Sequence, residues 1–243
     1  GAGPTPVHES RALGIQARTL EAFQRLGAAD AMIAEGRRLN GITVYSEGSR
    51  MAGLRLAIDP EDTRFPFVLC LPQSRTERIL VDRLAELGGS VTWGTRLTSF
   101  EADDDGATAE LKDATGRTSR VRARWLVGCD GPHSAVRHGL GLAFEGSAYE
   151  QRFLLADLHV GWSKPDDEIS VWLTPDGPFV GFPLPEPGRW RLVDAAGTAD
   201  AVDPDAITAR FRDLVNRFAA PDATVDGTTW TSSFGIQRRV VDR

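Results

Sequence analysis

Trp125-Leu126-Val127-Gly128-Cys129-Asp130-Gly131-Pro132-His133-Ser134-Ala135-Val136-Arg137-His138-Gly139-Leu140-Gly141 is the stretch on which the reading of this chain turns. The apolar run Trp125-Leu126-Val127 predicts a buried strand that breaks into a tight turn at Gly128-Cys129-Asp130-Gly131. A basic helical start, Ser134-Ala135-Val136-Arg137, follows directly. Strand, glycine turn and helix N-terminus together present backbone N–H groups and a partial positive charge to an anion. Gly131 lets the backbone pass close to a ligand, and Asp130 can accept hydrogen bonds from ligand hydroxyls or from neighbouring amides. An ordinary strand-to-helix connection capped by Ser134 would look the same, and the pattern alone leaves the two readings level.

Outward from that stretch, composition narrows the class. The chain has 243 residues, ample to bury a core as one large domain or two small ones. Its 41% hydrophobic and 26% charged content is that of a globular protein. A net charge of −6 and the lack of any basic stripe argue against nucleic acid as a partner. No apolar run approaches the roughly 20 residues of a membrane span, and no signal peptide is read before the first helix. Cys70 and Cys129 both sit in apolar, strand-like runs and read as small buried hydrophobes of a reducing, cytoplasmic compartment.

Periodicity gives the organisation. Leu13, Ala17, Leu20, Phe23 and Leu26 predict helix over 10–34, with breaks at Gly27 and Gly36. Strands and a hairpin tip at Glu47-Gly48-Ser49 follow over 42–58, and 67–71 reads as a buried strand. Ile79, Leu80, Leu84 and Leu87 share one face of a helix over 76–87, ended by Gly88-Gly89. A period-two hairpin, 107–112 and 117–123, feeds the opening stretch. Runs at 153–160, 169–173, 179–182 and 190–193, uninterrupted by helix, predict an antiparallel sheet. Asp203 caps a helix over 204–218, and a last strand spans 230–236.

Two further segments carry candidate chemistry. Glu9-Ser10-Arg11-Ala12-Leu13-Gly14 places Arg11 at a helix start, where its forked guanidinium suits two phosphate oxygens; a solvated surface arginine is the plain alternative. Pro72-Gln73-Ser74-Arg75-Thr76-Glu77 places a carboxamide, both donor and acceptor, just ahead of a helix cap at Ser74 or Thr76.

In this order and spacing, the three segments resemble the class A flavoprotein monooxygenases, the para-hydroxybenzoate hydroxylase superfamily. The resemblance covers almost the whole chain. It implies an α/β protein: a partial FAD-binding, Rossmann-like three-layer domain and an antiparallel-sheet substrate-binding domain. The corresponding boundaries are 1–41 and 67–148 for FAD-binding segments, and 42–66 and 149–243 for substrate-domain segments. It also implies FAD as cofactor and NAD(P)H as co-substrate, with Arg11, Gln73, Asp130, Gly131 and Arg137 at the cofactor. Relatives use the arginine near the FAD pyrophosphate and the glutamine near the ribityl chain or ring edge. The Asp-Gly pair meets both FAD and the route of NAD(P)H. Trp172, Phe179 and Phe182 fall on the sheet that roofs the substrate cavity in relatives, although each is equally a core residue. The activity implied is hydroxylation of an aromatic or polyketide-like substrate with NAD(P)H and O₂; no catalytic base is identified.

The resemblance departs at both ends. The family's strand with a Gly-x-Gly-x-x-Gly turn is expected upstream of Pro4. Its Gly-Asp motif is expected after Arg243, since Phe234-Gly235-Ile236-Gln237-Arg238-Arg239 resembles the approach to it. The chain alone is therefore expected to be inactive, and its uncovered apolar sheet surface favours a homodimer. Epoxidases and halogenases share the fingerprints, and a non-catalytic module binding an aromatic ligand is the alternative from another class. The four histidines show no metal-ligand spacing, and no nucleophile elbow is present.

Overall fold

The computed structural model describes Gly3, Thr5 and residues 12–56, 58–195 and 203–241, the side chain of Glu150 aside. In chain order its elements are β1 (Gly14–Ile15), α1 (Ala17–Arg25), α2 (Ala29–Glu35), β2 (Arg37–Leu39), β3 (Gly41–Ser46), β4 (Ser49–Arg55), β5 (Val68–Cys70) and α3 (Gln73–Glu86). Then come β6 (Arg96–Asp103), β7 (Gly106–Lys112), β8 (Thr118–Ala123), α4 (Ala135–Gly139), β9 (Phe144–Gly161), β10 (Glu168–Thr174), β11 (Gly177–Pro183), β12 (Arg189–Asp194), α5 (Pro204–Leu214), a π-helical turn (Val215–Ala219) and β13 (Thr224–Val241).

The chain divides into two compact units. The larger comprises His8–Arg83 and Tyr149–Ile236; the smaller is built on Leu84–Ala148 and Gln237–Arg243. Strands β9 and β13, 18 residues each, pass through both.

A seven-stranded sheet in the order β13-β9-β12-β11-β10-β3-β4 dominates the larger unit. Its run β9-β12-β11-β10 is antiparallel, as the uninterrupted strand pattern predicts, but β3 pairs with β10 in parallel. One face carries Tyr45, Leu158, Trp172, Phe179, Trp190 and Leu192, covered by Ile207, Phe211 and Leu214 of α5. Asp203 caps α5 by accepting the Ala206 N–H at 3.0 Å, with Pro204 in the first turn. A second, three-stranded sheet, β1-β5-β2, packs against α1, α2 and α3 through Leu20, Met32, Leu69 and Ile79.

The single helix expected over 10–34 is instead β1, α1 and α2. Gly14 and Ile15 join a sheet, and just before them Leu71 donates to the Leu13 carbonyl at 2.9 Å. Helical spacing of apolar residues is compatible with a short strand when a neighbouring edge accepts it.

The smaller unit is a β6-β7-β8 meander with α4 on it. Gly139 of α4 approaches the ring of Phe100 on β6 so closely that a Cβ there would lie 2.5 Å from it.

Candidate functional site

The turn after residue 128 is built around Asp130. Its Oδ2 accepts the backbone N–H groups of Ala135 at 2.6 Å and Val136 at 3.3 Å, the first residues of α4. Ser134 Oγ accepts the Arg137 N–H at 3.0 Å, so a carboxylate and a hydroxyl together occupy free amides of this helix end. Hydrogen bonding from Ser134, then from the turn's own amides, holds the Asp130 carboxyl below its ordinary value. Gly131 has φ +78, which a side chain would strain, and the space beside it is open. The close backbone approach occurs at Gly128, where an added Cβ would meet Val136 at 2.7 Å.

The run leading into this turn differs from its expectation. Residues 125–127 form no strand, and Trp125 and Val127 are 79% and 76% exposed. Cys129 is exposed as well; Cys70 alone of the two cysteines is buried. An apolar run is buried as a strand only when neighbours pair with it, and among the described residues nothing pairs with 125–127. The exposed run lines a groove of about 660 Å³ with Leu97, Leu111, Gly128, Asp130 and Val136.

Beside the turn lies a second cleft, of about 520 Å³, lined by His133, Arg137, His138, Phe144, Gln237 and Arg239 among others. The Arg137 guanidinium lies 4.7 Å from the Phe144 ring centroid and donates to the Pro132 carbonyl at 2.8 Å. Arg239 lies 6.0 Å from the same ring and donates to the Phe144 carbonyl at 3.3 Å. Stacking holds two arginines at one cleft without neutralising either by a carboxylate contact in these bonds. Gln237 and Arg239 were not among the sequence candidates. Their sequence signal is the pair Arg238-Arg239 on a strand with no other basic residue, but the cleft requires the chain's return from β13.

Gln73 belongs to the larger unit, whereas Asp130, Gly131 and Arg137 belong to the smaller. It is the first residue of α3, exposed, donating its side-chain amide to Glu77 at 3.1 Å and its backbone N–H to the Ala12 carbonyl at 3.3 Å. The helix thus begins three residues earlier than its apolar period predicts. Arg11 lies outside the described residues.

The aromatic trio is corrected. Trp172 and Phe179 are paired across β10 and β11, stacked at 4.9 Å, and 1% and 0% exposed beneath α5. Phe182, three residues beyond Phe179, points to the opposite face because side chains alternate along a strand. There it packs with Leu13, Leu39, Cys70 and Leu184. Aromatic residues mark the thick core between sheet and helix here, so they do not form one ligand-facing set.

Residues 3–243 match the family model described as FAD binding domain. The chain is 36% identical over 236 residues to the 6-methylpretetramide 4-monooxygenase of Streptomyces rimosus, covering 97% of this chain and 42% of that protein. It is 35% identical over 248 residues to a 12-dehydrotetracycline 5-monooxygenase/anhydrotetracycline 6-monooxygenase of the same species, covering 98% and 48%. Among solved structures, an anhydrotetracycline hydroxylase of Streptomyces rimosus superposes with a TM-score of 0.70 at 28% identity, over all of this chain and 47% of the other. A p-nitrophenol 4-monooxygenase of Pseudomonas putida shares the fold with a TM-score of 0.82 at 21% identity, covering 99% and 61%. The chain spans about half the length of the curated relatives it matches. With its Asp130-Gly131 turn closed on α4 and its match over residues 3–243, this chain belongs to the FAD-binding-domain family.

Proposed function

We propose that this chain is part of an FAD-dependent monooxygenase that hydroxylates an aromatic or polyketide-like substrate with NAD(P)H and O₂. The observation that carries the reading is the Asp130–Ala135 bond, which fixes a positive-φ glycine turn at a helix start in a chain matched to FAD-binding domains. Such a turn fits part of FAD: it offers an open backbone at Gly131 to phosphate or hydroxyl oxygens, while Asp130 and Ser134 take up the first amides of α4 and hold the turn in shape. The exposed carboxamide of Gln73 suits the hydrogen-bonding edge of a polyhydroxyl chain or ring, and Arg11 a phosphate. When bound, FAD would supply the redox chemistry by which NAD(P)H is oxidised to NAD(P)⁺ and the two atoms of O₂ go one to a hydroxyl group on the substrate and one to water.

The cleft around Phe144 is our candidate for the phosphates of NAD(P)H. Arg137 and Arg239 provide positive charge already desolvated on one side by the ring, which strengthens their hold on an anion. We assign segments 1–41 and 67–148 to FAD binding and 42–66 and 149–243 to the substrate side, with Phe182, not Trp172 or Phe179, nearest to a substrate role. A reducing, cytoplasmic setting fits Cys70, whose thiol burial pushes up to about 12. Among the described residues, no helix is long and apolar enough to cross a membrane.

The test is the complete gene product with anhydrotetracycline under labelled dioxygen. FAD-dependent NAD(P)H oxidation with one labelled oxygen in the product is expected. A complete protein that holds FAD but leaves NAD(P)H unoxidised with every aromatic tried would overturn the reading.

A further inference from the structure

Two connections in the larger unit enclose a cleft of about 590 Å³. Residues 161–164, which lead out of β9, form one side, and residues 219–223, which join the π-helical turn to β13, form the other. They come together where Gly161 has no side chain: a Cβ there would lie 2.5 Å from Thr224 Oγ1. Trp162, which lines the cleft, packs against the core under α5, on the sheet face away from Phe182. Small-molecule sites span about 300–1,000 Å³, so a ligand of one or two rings fits.

Charge and polarity at this cleft are uncompensated. Lys164 is the one cation among the described residues that line it. Its ammonium lies 4.3 Å from the Tyr45 ring centroid, and no carboxylate among the described residues pairs with it. Burial lowers the Lys164 pKa below the ordinary lysine value, the response of a charge that has lost water without gaining an opposite charge. Trp162 Nε1 and Trp172 Nε1, on rings 5.2 Å apart, and Asn216 Oδ1 of the π-helical turn are buried with no hydrogen-bond partner. Native interiors leave few such groups. The turn itself is a rare form that recurs at functional sites, and its closing bond, from the Ala220 N–H to the Val215 carbonyl at 2.8 Å, delivers the chain straight into the cleft wall.

These features select an occupant. Lys164 offers hydrogen bonds to one anionic group, and the Tyr45 ring keeps water from one side of that charge. Trp162, Ala220 and Pro221 offer apolar contact to a ring. Asp222, exposed on the same wall, repels a second negative charge.

We propose that the cleft between residues 161–164 and 219–223 is a second small-molecule site, which takes an aromatic monocarboxylate with its carboxylate on Lys164 and its ring against Trp162 and Pro221. The site goes beyond the monooxygenase reading and does not rest on it, since none of its residues belongs to the Asp130 turn, the Phe144 cleft or the Phe182 face.

The test titrates phenylacetate into the 243-residue chain labelled at its tryptophan indoles, with phenylacetamide and acetate as comparisons. The Trp162 indole signal, assigned by its loss in Trp162→Phe, is expected to shift along a saturating curve with phenylacetate. Phenylacetamide lacks the charge and acetate lacks the ring, and each should bind about tenfold more weakly or worse. Lys164→Met, which keeps the apolar stem, should weaken phenylacetate about tenfold, and Lys164→Arg should recover most of that loss. Lys112→Met, on β7, should leave the affinity unchanged. Asp222→Asn should tighten phenylacetate about twofold, because it removes the like charge. Should Lys164→Met fail to fold, the comparison of the three probes on the unaltered chain decides alone. Absence of saturable binding, a Lys164→Met chain that binds as before, or equal affinity for phenylacetamide would overturn the site. Equal affinity for acetate would reduce it to a plain anion site and overturn the assigned ligand. A Trp162 signal that moves on dilution without any probe would assign the cleft to a second copy of the chain and overturn it as well.

Discussion

Asp130 and Ala135 are joined by a 2.6 Å bond from a backbone N–H to a side-chain carboxylate, five residues apart, and this bond shapes the whole turn. The carboxylate therefore has a local partner before any ligand arrives. Its role at a cofactor is to hold Gly131 and the helix end in place, with any contact to the ligand added to that.

Asp130→Ala should accordingly loosen the turn and lower FAD retention several-fold in the complete enzyme, while Asp130→Asn, which keeps an acceptor oxygen, should recover part of it. Flavin content after gel filtration measures both. Equal flavin content in all three proteins would count against the assignment.

The same carboxylate carries a pH signature. Its folded value lies below the ordinary one, so the stabilisation is complete above about pH 4, the unfolded carboxylate value, and is lost as pH falls through the lower folded value. Amide exchange at Ala135 and Val136 should accelerate in acid in the native protein relative to its ordinary pH dependence, and this extra acceleration should be missing in Asp130→Asn.

Phe211→Ala should be among the most damaging core changes. Phe211 is fully buried on α5 against Phe179, at 6.1 Å between ring centroids, and removing a buried ring of this size costs about 3–5 kcal/mol. Denaturant unfolding should show that loss, while Leu173→Ala, 48% exposed, should stay within about 0.5 kcal/mol.

Arg191 and Asp157 form a two-bond ion pair, both contacts 2.7 Å, with Arg191 buried. Asp157→Ala removes the bidentate partner of a buried guanidinium and should cost about 3–5 kcal/mol. The double change Asp157→Leu with Arg191→Met should be far milder in the same unfolding assay. Equal losses would mean that packing and not charge pairing sets the stability there.

Arg137→Ala and Arg239→Ala should each raise the KM for NAD(P)H with little change in flavin content, and the increase should shrink at high salt as screening weakens the remaining charge. A salt-independent KM would point away from a phosphate at this cleft. FAD titrated into the 243-residue chain should bind weakly, because a long flexible dinucleotide is immobilised in full for a fraction of its contacts. Micromolar or tighter binding in calorimetry would contradict this.

Local patterns were legible where local forces decide. The Asp203 cap, the hairpin β7–β8 and the helix ahead of Gly88-Gly89 follow from neighbours a few residues apart, and the structure has them close to the expected places, although of that helix's expected apolar face Ile79 and Leu80 pack inward while Leu84 and Leu87 are exposed. The family was legible from the ordered segments around Gln73 and Asp130. Three things were not. The strand at Gly14–Ile15 depends on an edge supplied by residues 69–70. The fate of Trp125–Val127 depends on partners that no local pattern reveals. The division of Trp172, Phe179 and Phe182 between two faces depends on strand phase, which a list of aromatic positions does not contain.

The parallel pairing of β3 with β10 has a consequence for the birth of the protein. Asn40 and Asp167, which hydrogen-bond at the start of this pairing, are 127 residues apart. At ribosomal speeds of 5–20 residues per second, the β3–β4 hairpin waits about 6–25 s for its partner. During that interval the segment that forms the β6-β7-β8 meander emerges whole and can fold by its own short-range hairpins. The waiting hairpin, with Met51 and Leu54 exposed even in the finished fold, is then the sticky part of the nascent chain. Chaperone engagement early in synthesis should therefore concentrate on residues 41–55, and end when β10 leaves the exit tunnel.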